Sequence, residues 1–438
     1  MGVTEREVHA DQPDPPPARP APPGTPAPSP RTPDPAPKRP PSPATDRFGS
    51  RASAVLAQIG SHRLVAAAAP SLVFLTIRAV GLLVLGWLSE VNGGQLLTRL
   101  SVWDGQWLLA IAGGGYDGVP LGLVDAFGHR NPTTPLAFFP GYPAFVGVLR
   151  FVTGTPLEVA GLAVSVLAGL ALAHGLARLG ELVPGGSRRA GLVLVALVSA
   201  APMGVVWSMT YSEALFCACA AWALVGVLRR DWVLAGWCTA LAGTVRPTVG
   251  ALLLAVGLPM LVAALTRREG WRPWVGGLLA PLGVLGYLLF VASRTGALTG
   301  WFDLQRRGWN SRFDGGAATW AFTRDTLATG RSVLEVVTVA VLSGGLVLLA
   351  VCCARARRGE LPWPLVAYAV GVLAMDLGSN GLMNSKARLL LPAFTLLIPV
   401  AVGLAKRRPG TVWAVLVAAA LASAWFGGYA LTGWSYAI

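Results

Sequence analysis

Charged side chains are scarce in this 438-residue sequence. They make up 13% of it, whereas hydrophobic residues make up 54%. So few polar groups cannot cover a water-soluble globule of this size, and a lipid bilayer must therefore cover much of the chain. Apolar runs such as residues 64–88 and 157–177 approach the roughly 20 residues that cross about 30 Å of hydrocarbon. The sequence predicts an all-α polytopic membrane protein.

Patterns that bind metals, cofactors or nucleic acids are missing as well. The five cysteines form no CxxC pair and the four histidines are scattered, so neither a zinc site nor a disulfide framework is indicated. The net charge of +14 lies in short clusters between apolar runs, which is typical of membrane topology signals. We therefore expect no metal site, no cofactor and no nucleic-acid partner.

The first 63 residues differ in composition from the rest of the chain. They contain proline runs such as residues 15–17 and almost no large apolar side chains. Such a segment cannot bury a core, so we expect residues 1–63 to be a disordered cytoplasmic tail. The tail lacks the apolar stretch of a signal peptide, so the first span should remain as an anchor. The membrane domain is predicted to comprise residues 64–438.

The apolar runs predict about eleven transmembrane helices. We place them at residues 64–88, 157–178, 190–208, 212–228, 232–246, 249–266, 274–292, 332–352, 362–380, 388–405 and 411–430. Basic clusters between them alternate in a way that puts every cluster on the cytoplasmic side, as the positive-inside rule requires. The N-terminus is then cytoplasmic and the C-terminus lies outside.

Residues 138–152 are the critical segment for this topology, because a full span there would reverse the orientation of every later span. Pro140 and Pro143, with Gly141 between them, favour a short or re-entrant helix that is broken and buried in protein. The remaining polar segments then collect on the outer face. They are residues 90–135, 210–213, 245–248, 293–331 and 379–388. Long loops of this kind more often carry function than merely connect helices.

The first outer loop contains a distinctive set of motifs. A Trp103-Asp104 pair is followed by Gly115-Tyr116 and then by an Ala-Phe-Phe-Pro-Gly-Tyr-Pro block at residues 137–143. This pattern resembles the PIG-V type mannosyltransferases, members of the GT-C class of polytopic membrane glycosyltransferases. Weaker matches occur in the expected order at Tyr211-Ser212-Glu213, Arg246-Pro247, Gln305 with Trp309, and Lys386-x-Arg388 with Leu391-Pro392.

The resemblance implies a GT-C-like fold and the transfer of mannose, with inversion, from polyprenyl-phosphate-mannose to an acceptor hydroxyl. The lipid-linked sugar is a substrate and no nucleotide-sugar site is needed. The expected partners are this donor, a glycolipid or cell-envelope glycan as acceptor, and membrane lipids. The abundance of Ala, Gly, Val, Leu and Arg indicates a bacterial plasma membrane. Metal-independent transfer is the default expectation.

Transfer to a hydroxyl requires a general base, and departure of a lipid phosphate requires a cation. Asp104 is the predicted base, and the alternative is that it only caps a helix that begins near Gly105. Arg246, Lys386 and Arg388 lie at predicted outer ends of spans and are the predicted phosphate ligands. The alternative for each of them is ordinary snorkelling to the interface. Leu389 departs from the family pattern, which commonly has an aromatic residue there.

Further residues are candidates for substrate binding. Glu213, beside Tyr211, would bind sugar hydroxyls or form a buried ion pair with a nearby cation. Gln305 and Trp309 belong to a loop that we expect to face the acceptor or to form a lid. The aromatic residues of the first loop would stack on a sugar or lie in the interfacial aromatic belt. They are Trp103, Trp107 and Tyr116.

Two other carboxylates complete the set of candidates. Asp117 is the reserve carboxylate of the first loop. Asp376 lies near the outer end of an apolar run, where a carboxylate is costly unless it is paired or hydrated, so it is a secondary candidate for a polar cavity.

Two other classes of function remain open at this stage. A transporter or lipid flippase would also have many spans and polar residues at membrane depth, although the paired broken helices of internal repeats are not evident here. A non-catalytic membrane partner would keep the spans without requiring Asp104.

Overall fold

The structure is a computed structural model that describes residues 44–267, 269–330, 332–381, 383–434 and 436–438. The chain divides into two units, Met1–Ser61 and His62–Ile438, and the second unit comprises the predicted membrane domain. The first helix begins at Ala44, so part of the segment predicted to be disordered is helical. The rest of that prediction, for residues 1–43, lies outside the described residues, as do Arg268 of one basic cluster and Arg331 at the end of one predicted loop.

The described residues form helices and no strands, which confirms the all-α prediction. The α-helices are α1 (Ala44–Val91), α2 (Leu96–Arg99), α3 (Asp104–Gly114), α4 (Gly141–Thr153), α5 (Leu157–Leu182), α6 (Arg188–Ser199), α7 (Glu213–Arg229), α8 (Trp232–Gly243), α9 (Val249–Thr266), α10 (Arg272–Leu279), α11 (Leu282–Thr295), α12 (Gly300–Trp309), α13 (Ala317–Thr329), α14 (Val333–Arg357), α15 (Trp363–Gly378), α16 (Lys386–Leu389), α17 (Ile398–Ala405) and α18 (Pro409–Thr432). Short 3-10 helices cover Thr134–Ala137, Gly204–Ser208, Met383–Ser385 and Leu391–Leu397.

Several helices are long and apolar enough to cross a bilayer, so the protein is an integral membrane protein. Within the described residues, six single spans meet this condition: Val65–Val91, Leu157–Leu182, Val249–Thr266, Arg272–Thr295, Val333–Arg357 and Pro409–Thr432. A pair of helices bent by 52°, Met383–Leu389 and Leu391–Ala405, would be a seventh. The predicted count of eleven is not confirmed.

Two causes account for the difference in count. Trp232–Gly243 and Trp363–Gly378 are apolar but shorter than the spans predicted there, and Glu213–Arg229, at the predicted span 212–228, has only 17 residues. The predicted span at residues 190–208 is divided, because α6 ends at Ser199 and a 3-10 helix begins at Gly204. Pro202 lies in the gap, and a proline lacks the N–H group that would continue the helical hydrogen bonding.

Small residues let the central helices approach closely. α5 packs against α6 and α7, and α7 packs against α8. A methyl group on Gly180 of α5 would collide with the backbone of Gly191 of α6, and one on Gly175 would press on Ala221 of α7. Close backbone contact of this kind is the usual way in which helices associate inside a membrane.

The critical segment at residues 138–152 forms one short helix, α4. Its 13 residues extend only about 20 Å, less than the thickness of the hydrocarbon core. The expectation of a break is wrong, because Pro140 is the N-cap and Pro143 lies in the first turn, where a missing N–H group costs nothing. The Gly141 N–H donates to Thr244 O at 2.7 Å, which fixes the start of α4 against the loop after α8.

Candidate functional site

The five polar segments that the sequence assigned to one face converge on a single cavity of about 560 Å³. Each segment contributes at least one polar or charged side chain to its lining. They are Asp104 from the first, Ser212 from the second, Arg246 from the third, Gln305, Trp309 and Arg312 from the fourth, and Ser379, Lys386 and Arg388 from the fifth. The lining also contains apolar side chains, including Leu108, Phe138, Phe139, Val284 and Leu288.

Asp104 faces this cavity from the first residue of α3. The N-cap of α3 is Trp103, which makes no capping hydrogen bond, so Asp104 does not cap the helix as the alternative required. The Asp104 Oδ2 atom instead lies 2.9 Å from Arg388 Nη1, and the Asp104 side chain is 34% exposed. Trp103 has φ 52°, an unusual value for a bulky residue, and such local strain often occurs at functional sites.

Glu213 forms ion pairs with two arginines of the cavity lining. Its Oε1 atom lies 2.7 Å from Arg246 Nη1 and 3.4 Å from Arg388 Nε, and its side chain is only 1% exposed. Glu213 is also the first residue of α7, where the helix dipole favours a negative charge. The two guanidinium groups are therefore balanced by the carboxylates of Glu213 and Asp104. Of the two alternatives for Glu213, the structure shows the buried ion pair.

Neighbouring residues hold the same two arginines in place. Ser212 Oγ accepts a hydrogen bond from Arg246 at 3.2 Å. The Arg388 guanidinium lies over the Tyr211 ring, 5.1 Å from its centroid, which allows a cation–π contact. The Tyr211 hydroxyl donates to Val102 O at 3.2 Å, and burial raises the pKa of Tyr211, so this hydroxyl remains a donor. The Tyr211-Ser212-Glu213 motif thus orients the arginines from behind the cavity wall.

Lys386 occupies another part of the cavity and is nearly fully buried. Its ammonium group donates to Ser379 O at 2.8 Å and to Asp376 O. An ammonium group has three donors, so one remains for a ligand. Within the described part of the chain, neither Lys386 nor Arg312 forms an ion pair. The positive charge at this end is therefore less completely balanced than that of Arg246 and Arg388.

Asp376 lies beside Lys386 and also lines the cavity. Only 4% of this residue is exposed, and neither of its carboxylate oxygens has a hydrogen-bond partner among the described residues. The prediction that Asp376 belongs to a polar cavity therefore agrees with its position.

The aromatic wall of the cavity is supported from behind by Trp107. The Trp309 ring packs edge-on against Phe138, with centroids 5.5 Å apart, and Trp107 stacks on Phe138 at 5.2 Å and contacts Trp309 edge-on at 6.4 Å. Gln305 Nε2 and Trp301 Nε1 both donate to Ala137 O, at 3.0 and 3.2 Å. These contacts join α12 to the block at residues 137–143, so that Trp309 and Gln305 line the cavity as a unit with Phe138.

Six of the eight predicted substrate-binding residues do not line the cavity. Three of them, Trp107, Tyr211 and Glu213, pack behind the lining residues as described above. Trp103 is half-buried next to Asp104. Tyr116 donates to Phe138 O at 2.8 Å, and burial raises the pKa of its hydroxyl, so it supports the aromatic wall as a protonated donor. Asp117 pairs with Arg294 at an exposed position, so neither Tyr116 nor Asp117 joins Asp104 and Lys386 in the lining.

Two loops are joined at the edge of the cavity. An isolated bridge pairs Phe313 with Ser379, and the Asp314 N–H donates to Gly378 O at 2.8 Å. Backbone N–H groups at the start of α13 donate to the Asp314 carboxylate and lower its pKa. These contacts place Arg312 in the lining of the cavity. The sequence alone did not distinguish Arg312 from the other polar residues of the loop.

A second, smaller cavity of about 290 Å³ adjoins the first loop and α12. Trp309 belongs to the lining of both cavities, and the second is mostly polar. Its polar lining residues are Asp125, Asn131, Thr133, Thr134 and Arg307. None of these five was selected as a candidate site residue from the sequence. The only feature of the sequence that pointed to them is that they occur in long polar segments.

Comparison with known proteins gives partial matches in structure alone. ArnT from Cupriavidus metallidurans bound to undecaprenyl phosphate matches with a TM-score of 0.49 and 15% identity, over 78% of this chain and 62% of that chain. ArnT from the same organism in the apo state matches with a TM-score of 0.49 and 16% identity, over 78% and 61%. This chain therefore covers about three fifths of those structures.

No protein-family model and no curated protein sequence matches this chain. The resemblance of its motifs to the PIG-V type mannosyltransferases is not confirmed as family membership.

Proposed function

We propose that this protein is a GT-C-like glycosyltransferase that moves a sugar from a polyprenyl-phosphate donor to a hydroxyl group of a glycolipid or cell-envelope glycan. The motif resemblance favours mannose as the sugar, and the positions of the basic clusters favour the outer face as the site of transfer. The observation that carries the proposal is the meeting of Asp104, Arg388 and Lys386 in one cavity, although they come from opposite ends of the membrane domain.

The cavity has the chemical character that a polyprenyl-phosphate sugar requires. Its lining combines aliphatic and aromatic side chains, which suit an apolar chain, with charged groups, which suit a phosphate. The Lys386 ammonium retains one donor, and Arg312 lies nearby in the same lining, so both are suited to bind a phosphate. Arg246 and Arg388 are already balanced by carboxylates, and they would contribute through their remaining N–H groups.

Asp104 is suited to act as the general base. Arg388 holds one carboxylate oxygen, and the partly exposed side chain leaves the other free to accept a proton. The acceptor oxygen would form a bond with the anomeric carbon as the bond from that carbon to the phosphate oxygen breaks. Asp104 takes the hydroxyl proton, and the bonding electrons leave with the phosphate, where a nearby cation stabilises the developing charge. Attack opposite to the phosphate inverts the anomeric carbon.

The second cavity offers a position for the polar part of the acceptor. Its lining combines Asp125, Asn131 and Arg307 with the edge of Trp309, which also borders the first cavity. This arrangement supports an acceptor-facing role for the loop that contains Trp309.

The test is a transfer assay with purified full-length protein, labelled polyprenyl-phosphate-mannose and lipid extract. We expect Asp104→Asn to lower kcat by roughly 10²–10⁴-fold, because general-base catalysis contributes about this much. Asp325→Asn is the matched control, since Asp325 pairs with Arg324 at an exposed site outside the cavity lining.

Each outcome of this assay discriminates between hypotheses. Full activity of a folded Asp104→Asn variant would move the base elsewhere. If wild-type protein transferred no sugar from any polyprenyl phosphate, the enzyme hypothesis would be wrong and a transporter or a non-catalytic partner would be favoured.

A further inference from the structure

The Asp376 carboxylate is a buried ionisable group in the lining of the main cavity. It is 4% exposed, it lines the cavity, and neither oxygen accepts a hydrogen bond within the described part of the chain. Burying a polar group without a partner costs a folded protein free energy, and such groups are few in native structures. A carboxylate in this position is therefore explained best by a ligand that supplies the missing donors.

The chemistry of Asp376 limits what that ligand can be. An ionised carboxylate only accepts hydrogen bonds, so in that form Asp376 needs a ligand that donates them. Lys386 stands beside Asp376 and donates to its main-chain oxygen, so one positive charge is already present next to the carboxylate. That charge would repel a second cation, which favours a neutral donor group, such as a hydroxyl, over a cationic amine.

The third N–H donor of Lys386 can bind the phosphate of the donor lipid. The phosphate would then lie next to the position where Asp376 accepts hydrogen bonds. A phosphate at Lys386 would lie close to the Asp376 carboxylate, because the same ammonium contacts the Asp376 backbone. The group attached directly to the phosphate in the proposed donor is the sugar ring, which carries several hydroxyls.

We propose that Asp376 accepts hydrogen bonds from hydroxyl groups of the donor sugar and thereby selects a neutral, hydroxyl-bearing sugar. The inference rests on the proposed function and deepens it, because it assigns a sugar-binding residue to the donor site. Asp376 does not exchange a proton or form a bond with the substrate in this role.

A binding measurement tests the inference independently of catalysis. The affinity of wild-type protein is measured for polyprenyl-phosphate-mannose and for polyprenyl phosphate without the sugar. We expect the sugar-bearing lipid to bind about tenfold or more tightly, because a hydrogen bond to a charged group contributes this much. In Asp376→Ala the two lipids should bind with nearly equal affinity. Asp325→Ala serves as the control and should preserve the difference.

A second variant and a stability measurement guard against a merely structural role. Asp376→Asn keeps one acceptor oxygen and nearly the same shape, so it should retain the fold and part of the preference. Because the carboxylate has no hydrogen-bond partner among the described residues, we expect neither variant to lower the unfolding temperature by more than a few degrees.

Three results would overturn the inference. The first is an unchanged preference for the sugar-bearing lipid in Asp376→Ala. The second is a large loss of stability with an unchanged preference in the Asn variant. The third is tighter binding of an amino-sugar donor than of mannose, which would reject the neutral class of ligand. A wild-type protein that showed the binding preference but no transfer would contradict the proposed function alone.

Discussion

The two charged regions of the main cavity differ in how completely they are satisfied. Around Asp104, each carboxylate has a guanidinium partner and each arginine has a carboxylate partner. Around Lys386, the ammonium keeps a free donor and the neighbouring Asp376 carboxylate has no hydrogen-bond partner among the described residues. The paired region is therefore preorganised by the protein, whereas the other region is completed by a ligand.

This contrast predicts that the two regions respond to mutation in different ways. Substitution of the buried Glu213 in the paired region should act first on stability, since it removes the carboxylate that two arginines share. Substitutions in the Lys386 region should act first on ligand affinity, since few protein contacts are lost there.

The largest effect on stability is expected for Glu213→Gln. The change leaves two buried arginines without their shared carboxylate, and breaking a buried ion pair costs about 3–5 kcal/mol. The measurement is thermal or denaturant unfolding of the protein in detergent. Glu360→Gln is the matched control, because Glu360 pairs with Arg355 at the surface and such pairs contribute about 0–1 kcal/mol. Equal stability of the two variants would contradict the role given to Glu213.

A smaller effect on stability and a clear effect on donor binding are expected for Lys386→Gln. Loss of the ammonium should weaken the binding of polyprenyl phosphate by about 10–100-fold, as expected for one charged hydrogen bond. Lys406→Gln is the control, because Lys406 is exposed and lies outside the cavity lining. If both variants bound the lipid equally well, the phosphate would have to lie elsewhere, with Arg246 and Arg388 as the next candidates.

The sequence predicted the fold class and the segments that form the site. It did not predict the contacts between side chains within the site. Low charge and long apolar runs were sufficient to predict an all-α membrane protein. A chain that crosses a bilayer needs long apolar segments, and a helix satisfies the backbone hydrogen bonds of such a segment internally. The placement of basic clusters led to five polar segments on one side, and the structure brings all five to one cavity.

The pairing of side chains could not be predicted in the same way. Arg388 pairs with Asp104 and Glu213, which are far from it in the sequence. Their pairing therefore depends on how helices that are distant in the sequence pack together. The sequence left open whether Glu213 binds a sugar or an arginine for this reason. Trp107 was predicted to stack on a sugar or to lie in the interfacial aromatic belt, whereas it is buried and stacks on Phe138.

The predicted number of spans is not confirmed, because hydropathy does not report where a helix ends. The run at residues 190–208 is apolar throughout, yet Pro202 separates α6 from a 3-10 helix. The same limitation applies to Lys386–Leu389 and the next helix, where the chain bends by 52° within an apolar stretch. This bend carries Lys386 and Arg388 into the cavity, so the feature that hydropathy missed is part of the site.

The most direct test of the account is an experimental structure of the protein with a non-transferable polyprenyl-phosphate-mannose analogue. We predict that the lipid phosphate lies within hydrogen-bond distance of Lys386 Nζ, the sugar hydroxyls face Asp376, and the anomeric carbon is open to attack from the side of Asp104. A donor bound outside this cavity, or one with its phosphate facing the Asp376 carboxylate, would contradict the account.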